Sequence, residues 1–192
     1  MKSALTKGRM KLLPRLVILT ALILSSCGLF ETRDPEEPVG KVNWNHYPIT
    51  PLQTLDNLKY AYDYNENVDR YGSILSSDFE FHFDSQDVQD YNLPVYWGKD
   101  METEMRSLID KNMDLELQII EEKDDIIQSD NAVLYRDYEL LLTRENETSV
   151  FSGSMTLYIR RDSDGFWRIY QWEDFRTDND TTWGRLKYEY IP

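Results

Sequence analysis

Few side chains in this 192-residue chain carry reactive chemistry of their own, and their spacing limits what that chemistry is. There are two histidines, His46 and His82, and one cysteine, Cys27. An imidazole titrates near neutrality and could act as a base. His82 lies in DFEFHFD, on the parity opposite Phe79, Phe81 and Phe83, and has no identifiable partner, so a rim position is the plainer reading. Zinc needs several His, Cys, Asp or Glu ligands at set spacings. No such set occurs, and neither a metal nor another cofactor is expected. Asp84, Asp87 and Asp90 recur every third residue, but an EF-hand loop needs alternating oxygen ligands, a central glycine and a late glutamate. That run reads as a solvated acidic loop. Two further carboxylates fall inside strand-like segments: Asp137, between Arg136 and Tyr138, and Asp174, which shares parity with Arg168, Tyr170 and Trp172. The larger excess is aromatic, with 5 Trp, 13 Tyr and 7 Phe. Tyr and Trp join an apolar body to a polar tip and suit a ligand pocket or partner surface, although strands favour them in any case.

Cys27 has its own context. Residues 1–26 hold Lys2, Lys7, Arg9, Lys11 and Arg15 and no acid, followed by an apolar run from Leu16 to Leu24 broken only by Thr20. That is the pattern of a secretory signal peptide, and the run is shorter than the roughly 20 residues that span a bilayer. Leu24-Ser25-Ser26-Cys27 then resembles the bacterial lipobox. The resemblance implies cleavage before Cys27 and lipidation of its sulfur, and more than one acyl chain makes a stable membrane anchor. Gly28 stands where an Asp would resemble an inner-membrane retention signal, which favours the outer membrane, facing the periplasm.

Loss of the leader takes five positive charges from a chain whose net charge is already −14. So acidic a protein repels nucleic-acid phosphates and anionic headgroups, leaving the lipid as its main membrane contact. With Cys27 acylated, no thiol remains for a disulfide or a nucleophile. Residues 27–49 contain Asp34-Pro35-Glu36-Glu37-Pro38 and no period, and read as a flexible tether with Trp44, His46 and Tyr47 near the domain edge.

The folded domain is expected over residues 50–192. Thr50-Pro51-Leu52-Gln53 offers an N-cap, a first-turn proline and a capping-box glutamine, and Leu52, Leu55, Leu58 and Tyr62 follow at helical spacing. A second short helix is expected from Val68, Tyr71, Ile74 and Leu75, ending near Ser76-Ser77. A strand follows at Phe79–Phe83, then a polar irregular stretch over 84–98. A third helix is expected to be capped by Asp100, with Met101, Met105, Leu108 and Ile109 on one face. Alternation then predicts strands at 115–119, 131–143, 149–161 and 166–175, with Asp162-Ser163-Asp164-Gly165 as a hairpin turn. Early helices followed by strands in hairpin succession give an α+β fold.

The order of these elements is similar to that of the NTF2-like (SnoaL-like, cystatin-like cone) superfamily. The stretches that carry the resemblance are TPLQTLDNLKYAYDYNENVDRYGSILSSDFEFHF, YWGKDMETEM, DGFWRIYQWEDF and TTWGRLK. It implies three N-terminal helices packed on a curved antiparallel sheet around a conical pocket. Members include isomerases, dehydratases and proteins that only bind. On that footing Trp97, Tyr138, Trp167 and Trp172 are the candidate ligand contacts, the ligand being small and apolar or an envelope protein. A homodimer through the sheet face is the structural version. An enzymatic cone would instead use Asp174 with a raised pKa, Tyr138 as hydrogen-bond donor to an oxyanion, and His82 as a further candidate base.

Overall fold

The computed structural model describes residues 43–64, 68–109, 113–145, 147–177 and 181–191. Cys27, the expected signal peptide and most of the expected tether lie outside them. The first helix, α1 (Pro51–Asp63), begins as its sequence dictates: Thr50 accepts from the Gln53 N–H, and the Gln53 side chain accepts from the Thr50 N–H. The chain is already docked ahead of it. Asn45 and Asn57 bond reciprocally, and the Trp167 N–H donates to the Pro48 carbonyl.

Then come α2 (Val68–Ser73), β1 (Leu75–His82), α3 (Ser85–Tyr91), β2 (Tyr96–Gly98) and α4 (Lys99–Leu108). After these follow β3 (Asp114–Glu121), β4 (Ile126–Ile127), β5 (Asn131–Arg144), β6 (Glu147–Arg161), β7 (Trp167–Phe175) and α5 (Trp183–Glu189). Three differences from the sequence reading have physical causes. Ile74 and Leu75 leave α2 early because Leu75 opens a strand eight residues long. The polar stretch 84–98 is ordered: Asp84 caps α3 by accepting from the Gln86 N–H, and left-handed Asn92 ends it. Asp100 lies in the first turn of α4 behind Gly98, and the buried face of that helix is Glu102, Met105 and Arg106 rather than one containing Met101 and Leu108.

One sheet runs β2-β1-β7-β6-β5-β3, with β4 pairing the end of β5. From β3 to β7 the main strands are antiparallel, as hairpin succession requires. The sheet is mixed because β1 joins β7 in parallel. A row of inward residues crosses it: Trp97, Phe81, Trp172, Leu157 and Leu134 are register partners on successive strands. An irregularity interrupts β6–β7, where Tyr158 faces Gln171 but Ile159 faces Ile169. An extra residue on one strand bends it and shifts the alternation. Arg168 and Tyr170 therefore do not share a face with Trp172 and Asp174, although the sequence gives all four one parity; the last two are buried with the core.

Candidate functional site

The interior side of the sheet brings Tyr138 and Asp174 together from strands that are not neighbours. Tyr138 on β5 is in register with Gly153 on β6, and Asp174 lies beyond, on β7. A Cβ on Gly153 would stand 2.7 Å from the Tyr138 hydroxyl and 2.6 Å from the Phe175 carbonyl. The missing side chain is what lets the tyrosine reach across β6. Its hydroxyl donates to Asp174 Oδ1 at 2.7 Å.

Both residues are then claimed by α5. The Trp183 N–H donates to the Tyr138 oxygen at 2.7 Å, and the Gly184 N–H donates to Asp174 Oδ2 at 2.8 Å. These are amides of the first turn, which have no partner within a helix. Thr182, the N-cap, accepts from the Arg185 N–H and donates to Asp87 Oδ2 at 2.5 Å, while Arg176 donates to Asp87 Oδ1 at 2.6 Å. Gly184 passes so close to Asp87 that a Cβ there would lie 2.5 Å from its Oδ2. The Trp183 ring stands 4.6 Å from Tyr138, 4.5 Å from Trp172 and 5.0 Å from Tyr62, and its indole N–H donates to the Tyr62 hydroxyl.

One turn later Lys187, fully buried, donates to Glu102 Oε1. Glu102 also accepts from the Tyr71 hydroxyl and, at 2.6 Å, from the Trp97 indole. The ammonium lies 3.9 Å from the Phe81 ring centre, 5.2 Å from that of Trp172 and 5.7 Å from that of Trp97. Arg106 stacks its guanidinium over Tyr62 and donates to the Ala61 carbonyl.

Burial sets the electrostatics. It pushes Asp174 up to about 7, against the lowering effect of the Tyr138 hydroxyl and the Gly184 N–H. Asp87 adds a like charge, and Lys187 pulls the other way. Burial also raises Tyr138 well above the ordinary tyrosine value, helped by the charge of Asp174. It lowers Lys187, which Glu102 opposes. A carboxyl poised near neutrality beside a phenol is the raw material of general acid–base catalysis. Here the Tyr138 hydroxyl and both Asp174 oxygens already hold hydrogen bonds, two of the three from the backbone of α5.

Of the aromatic residues singled out from sequence, Trp97, Tyr138 and Trp172 line this interior around α5. Trp167 is also buried but lies at the far end of β7, under the Arg161 guanidinium. His82 is on the opposite face of β1, stacked on Tyr96 and 2.9 Å from Glu80, and is not brought to Asp174. Asp137 accepts from Ser154 on that outer face. Asp84 and Asp87 serve as cap and anchor, and Asp90 pairs with Arg176. Sequence reasoning missed Glu102, Thr182, Trp183, Gly184 and Lys187. The available signals were the spacing of Glu102 with Met105 and Ile109 on one helical face, and that of Trp183 with Lys187 one turn apart. Among the described residues, an open groove of about 590 Å³ lined by Leu75, Lys99, Arg160 and Arg168 and one of about 560 Å³ beside Asp63 and Asp114 lie away from this interior, and one of about 380 Å³ borders α5 at Arg185 and Glu189.

No protein-family model matches the chain, and no match is found among curated proteins. Solved structures do match. A nuclear transport factor 2 (NTF2-like) superfamily protein from Salmonella enterica superposes with a TM-score of 0.52 at 13% identity, over 67% of this chain and 89% of that one. A putative aromatic ring hydroxylase from Novosphingobium aromaticivorans gives 0.54 at 12%, over 70% and 92%. A conserved protein from Planctomyces limnophilus gives 0.54 at 14%, over 64% and 89%. The fold is NTF2-like: an α+β cone of helices on an open mixed sheet.

Proposed function

We propose that the chain is an envelope lipoprotein, anchored through acylated Cys27 to a membrane, most simply the outer membrane facing the periplasm, whose NTF2-like domain binds rather than catalyses. One observation carries the second half. The hydroxyl and carboxylate that an enzymatic cone would turn on a substrate are spent on the first-turn amides of α5. A pair used to hold a helix leaves no free proton acceptor facing a reactant. The partner is a small ligand that takes the place of α5 in the cone, or an envelope protein or second copy on the outer sheet face. That face presents Tyr96, stacked on His82, and, on the strands beyond, Tyr170, Tyr158 and Tyr135.

A second reading has one specific observation in its favour: Asp174 is pushed up to about 7 beside Tyr138. With α5 lifted, that pair could exchange protons with a substrate as an isomerase or dehydratase does. Native mass spectrometry of the protein extracted from its own envelope tests the binding reading. An acylated species carrying a noncovalent small molecule or protein is expected; an unacylated or consistently bare protein contradicts it. Turnover that disappears in Asp174→Asn would transfer the case to the second reading.

A further inference from the structure

Lys187 is the unusual member of α5. A fully buried lysine loses hydration that an ion pair alone seldom restores. Here the rest of the stabilisation comes from aromatic faces. Phe81, Trp172 and Trp97 surround the ammonium at 3.9, 5.2 and 5.7 Å, and Glu102 closes the enclosure. All four residues are at most 4% exposed. They come from three adjacent strands and a helix, in a register fixed by the Phe81–Trp97 and Phe81–Trp172 pairs. Aromatic rings around a cation, desolvated and backed by a carboxylate, are how proteins recognise ammonium groups, including methylated ones. The occupant arrives from residues 85 positions away in sequence, on a helix of seven residues near the chain end. The Trp172 indole N–H stays buried without a hydrogen-bond partner among the described residues, so α5 does not use every group the interior offers.

We propose that Phe81, Trp97, Trp172 and Glu102 form an ammonium-binding cage that Lys187 fills in this conformation, and that the ligand admitted when α5 lifts carries an alkylammonium group. This rests on the binding reading for its biological use, but the cage itself stands on geometry alone. Lys187 is a tethered competitor, present at an effective concentration on the order of millimolar or above. An external amine is therefore weak against the closed form and strong against a form without the lysine head.

The test is chemical rescue in the full chain. Lys187→Ala is titrated with n-propylammonium chloride, which restores the three missing carbons and the charge, with sodium chloride and 1-propanol as controls. Thermal unfolding and the tryptophan fluorescence are followed. A saturable rise in Tm of several degrees with the amine alone, and at least ten-fold weaker saturation in Glu102→Gln/Lys187→Ala, is expected. Equal responses to amine, salt and alcohol overturn the cage. If Lys187→Ala is unfolded in plain buffer, refolding is the readout: recovery in the amine but not in salt supports the cage, and recovery in neither overturns it. In the wild type, tetramethylammonium is expected to speed hydrogen exchange of the α5 amides where equal sodium chloride does not. No change up to molar amine removes the displacement half. A failed rescue with an adduct still seen in native spectra would leave the binding reading intact and discard only the ammonium class.

Discussion

Two carboxylates lie in the same interior and are held in opposite ways. Glu102 and Asp174 are 0% and 1% exposed. Glu102 faces a cation, Lys187, with Tyr71 and Trp97 as further donors. Asp174 has neutral donors only, the Tyr138 hydroxyl and the Gly184 N–H, and a second carboxylate, Asp87, adds to its field. Burial therefore carries Asp174 up to about 7. What the two share is α5, which supplies the cation to one and a backbone amide to the other. The difference separates an electrostatic latch from a hydrogen-bonded one, and a different substitution addresses each.

The largest effect belongs to the charged latch. Lys187→Met keeps the length and apolar body of the side chain but leaves Glu102 buried without its cation. A loss of about 3–5 kcal/mol in urea unfolding is expected, as for a buried pair that loses one partner. Glu102→Gln added to it is expected to recover much of that loss, because the uncompensated charge is gone. A single-variant loss below about 1 kcal/mol would mean that the pair behaves as an exposed one and does not latch the helix.

The hydrogen-bonded latch is weaker. Tyr138→Phe leaves the Trp183 N–H and Asp174 each short of a partner, at a cost of about 1–3 kcal/mol by the same unfolding measurement. A neutral outcome would show that water replaces the hydroxyl and that the cone is wetter than its packing.

Asp174 adds a pH dependence whose sign can be worked out. The unfolded chain releases this proton near 3.8, whereas the folded chain holds it up to about 7. Between those values the folded state binds more protons, so the stability carried by this group falls as pH rises through the window. The penalty of Asp174→Asn relative to wild type is therefore expected to shrink between about pH 4 and about pH 7 and to level off above that. A constant penalty would mean that the folded chain holds this proton no longer than the unfolded chain does across that range.

The smallest effect lies on the other face of the sheet. His82→Ala removes a partly exposed pairing with Glu80 and a stack on Tyr96, and should change stability by less than about 1 kcal/mol. It should leave the exchange of the α5 amides unaltered. A change there would couple the outer face to the cone.

What was legible in the sequence followed local rules. The Thr50–Gln53 capping box, the Phe79/Phe81/Phe83 alternation and the Asp162–Gly165 turn each need only a few neighbouring residues, and each is present in the structure. Tyr138 and Asp174 could be named as a pair because an enzymatic cone, which the family resemblance implies, asks for a carboxylate beside a phenol. The rest depended on partners remote in sequence. The face of Asp174 was misassigned relative to Arg168 and Tyr170 because an irregularity in the β6–β7 pairing breaks the period of two. In the sequence Glu102 is one of several acids that suit the first turn of a helix, and nothing near it announces a lysine 85 residues on. The seven residues of α5 are half polar and too few for a periodic signal, so their role came from what they touch. Gly153 reads as an interruption in a strand until the tyrosine crossing above it is seen.

The central claim is that α5 fills the cone by giving its first-turn amides to Tyr138 and Asp174. Residue-resolved hydrogen exchange on the apo protein tests it most directly, because the first amides of a helix have no intrahelical acceptor and owe any protection to side chains. Protection of the Trp183 and Gly184 N–H groups comparable to that of the central strands, lost in Lys187→Met, is the predicted result. Exchange of those two amides at the rate of an unstructured peptide in the wild type would contradict the account.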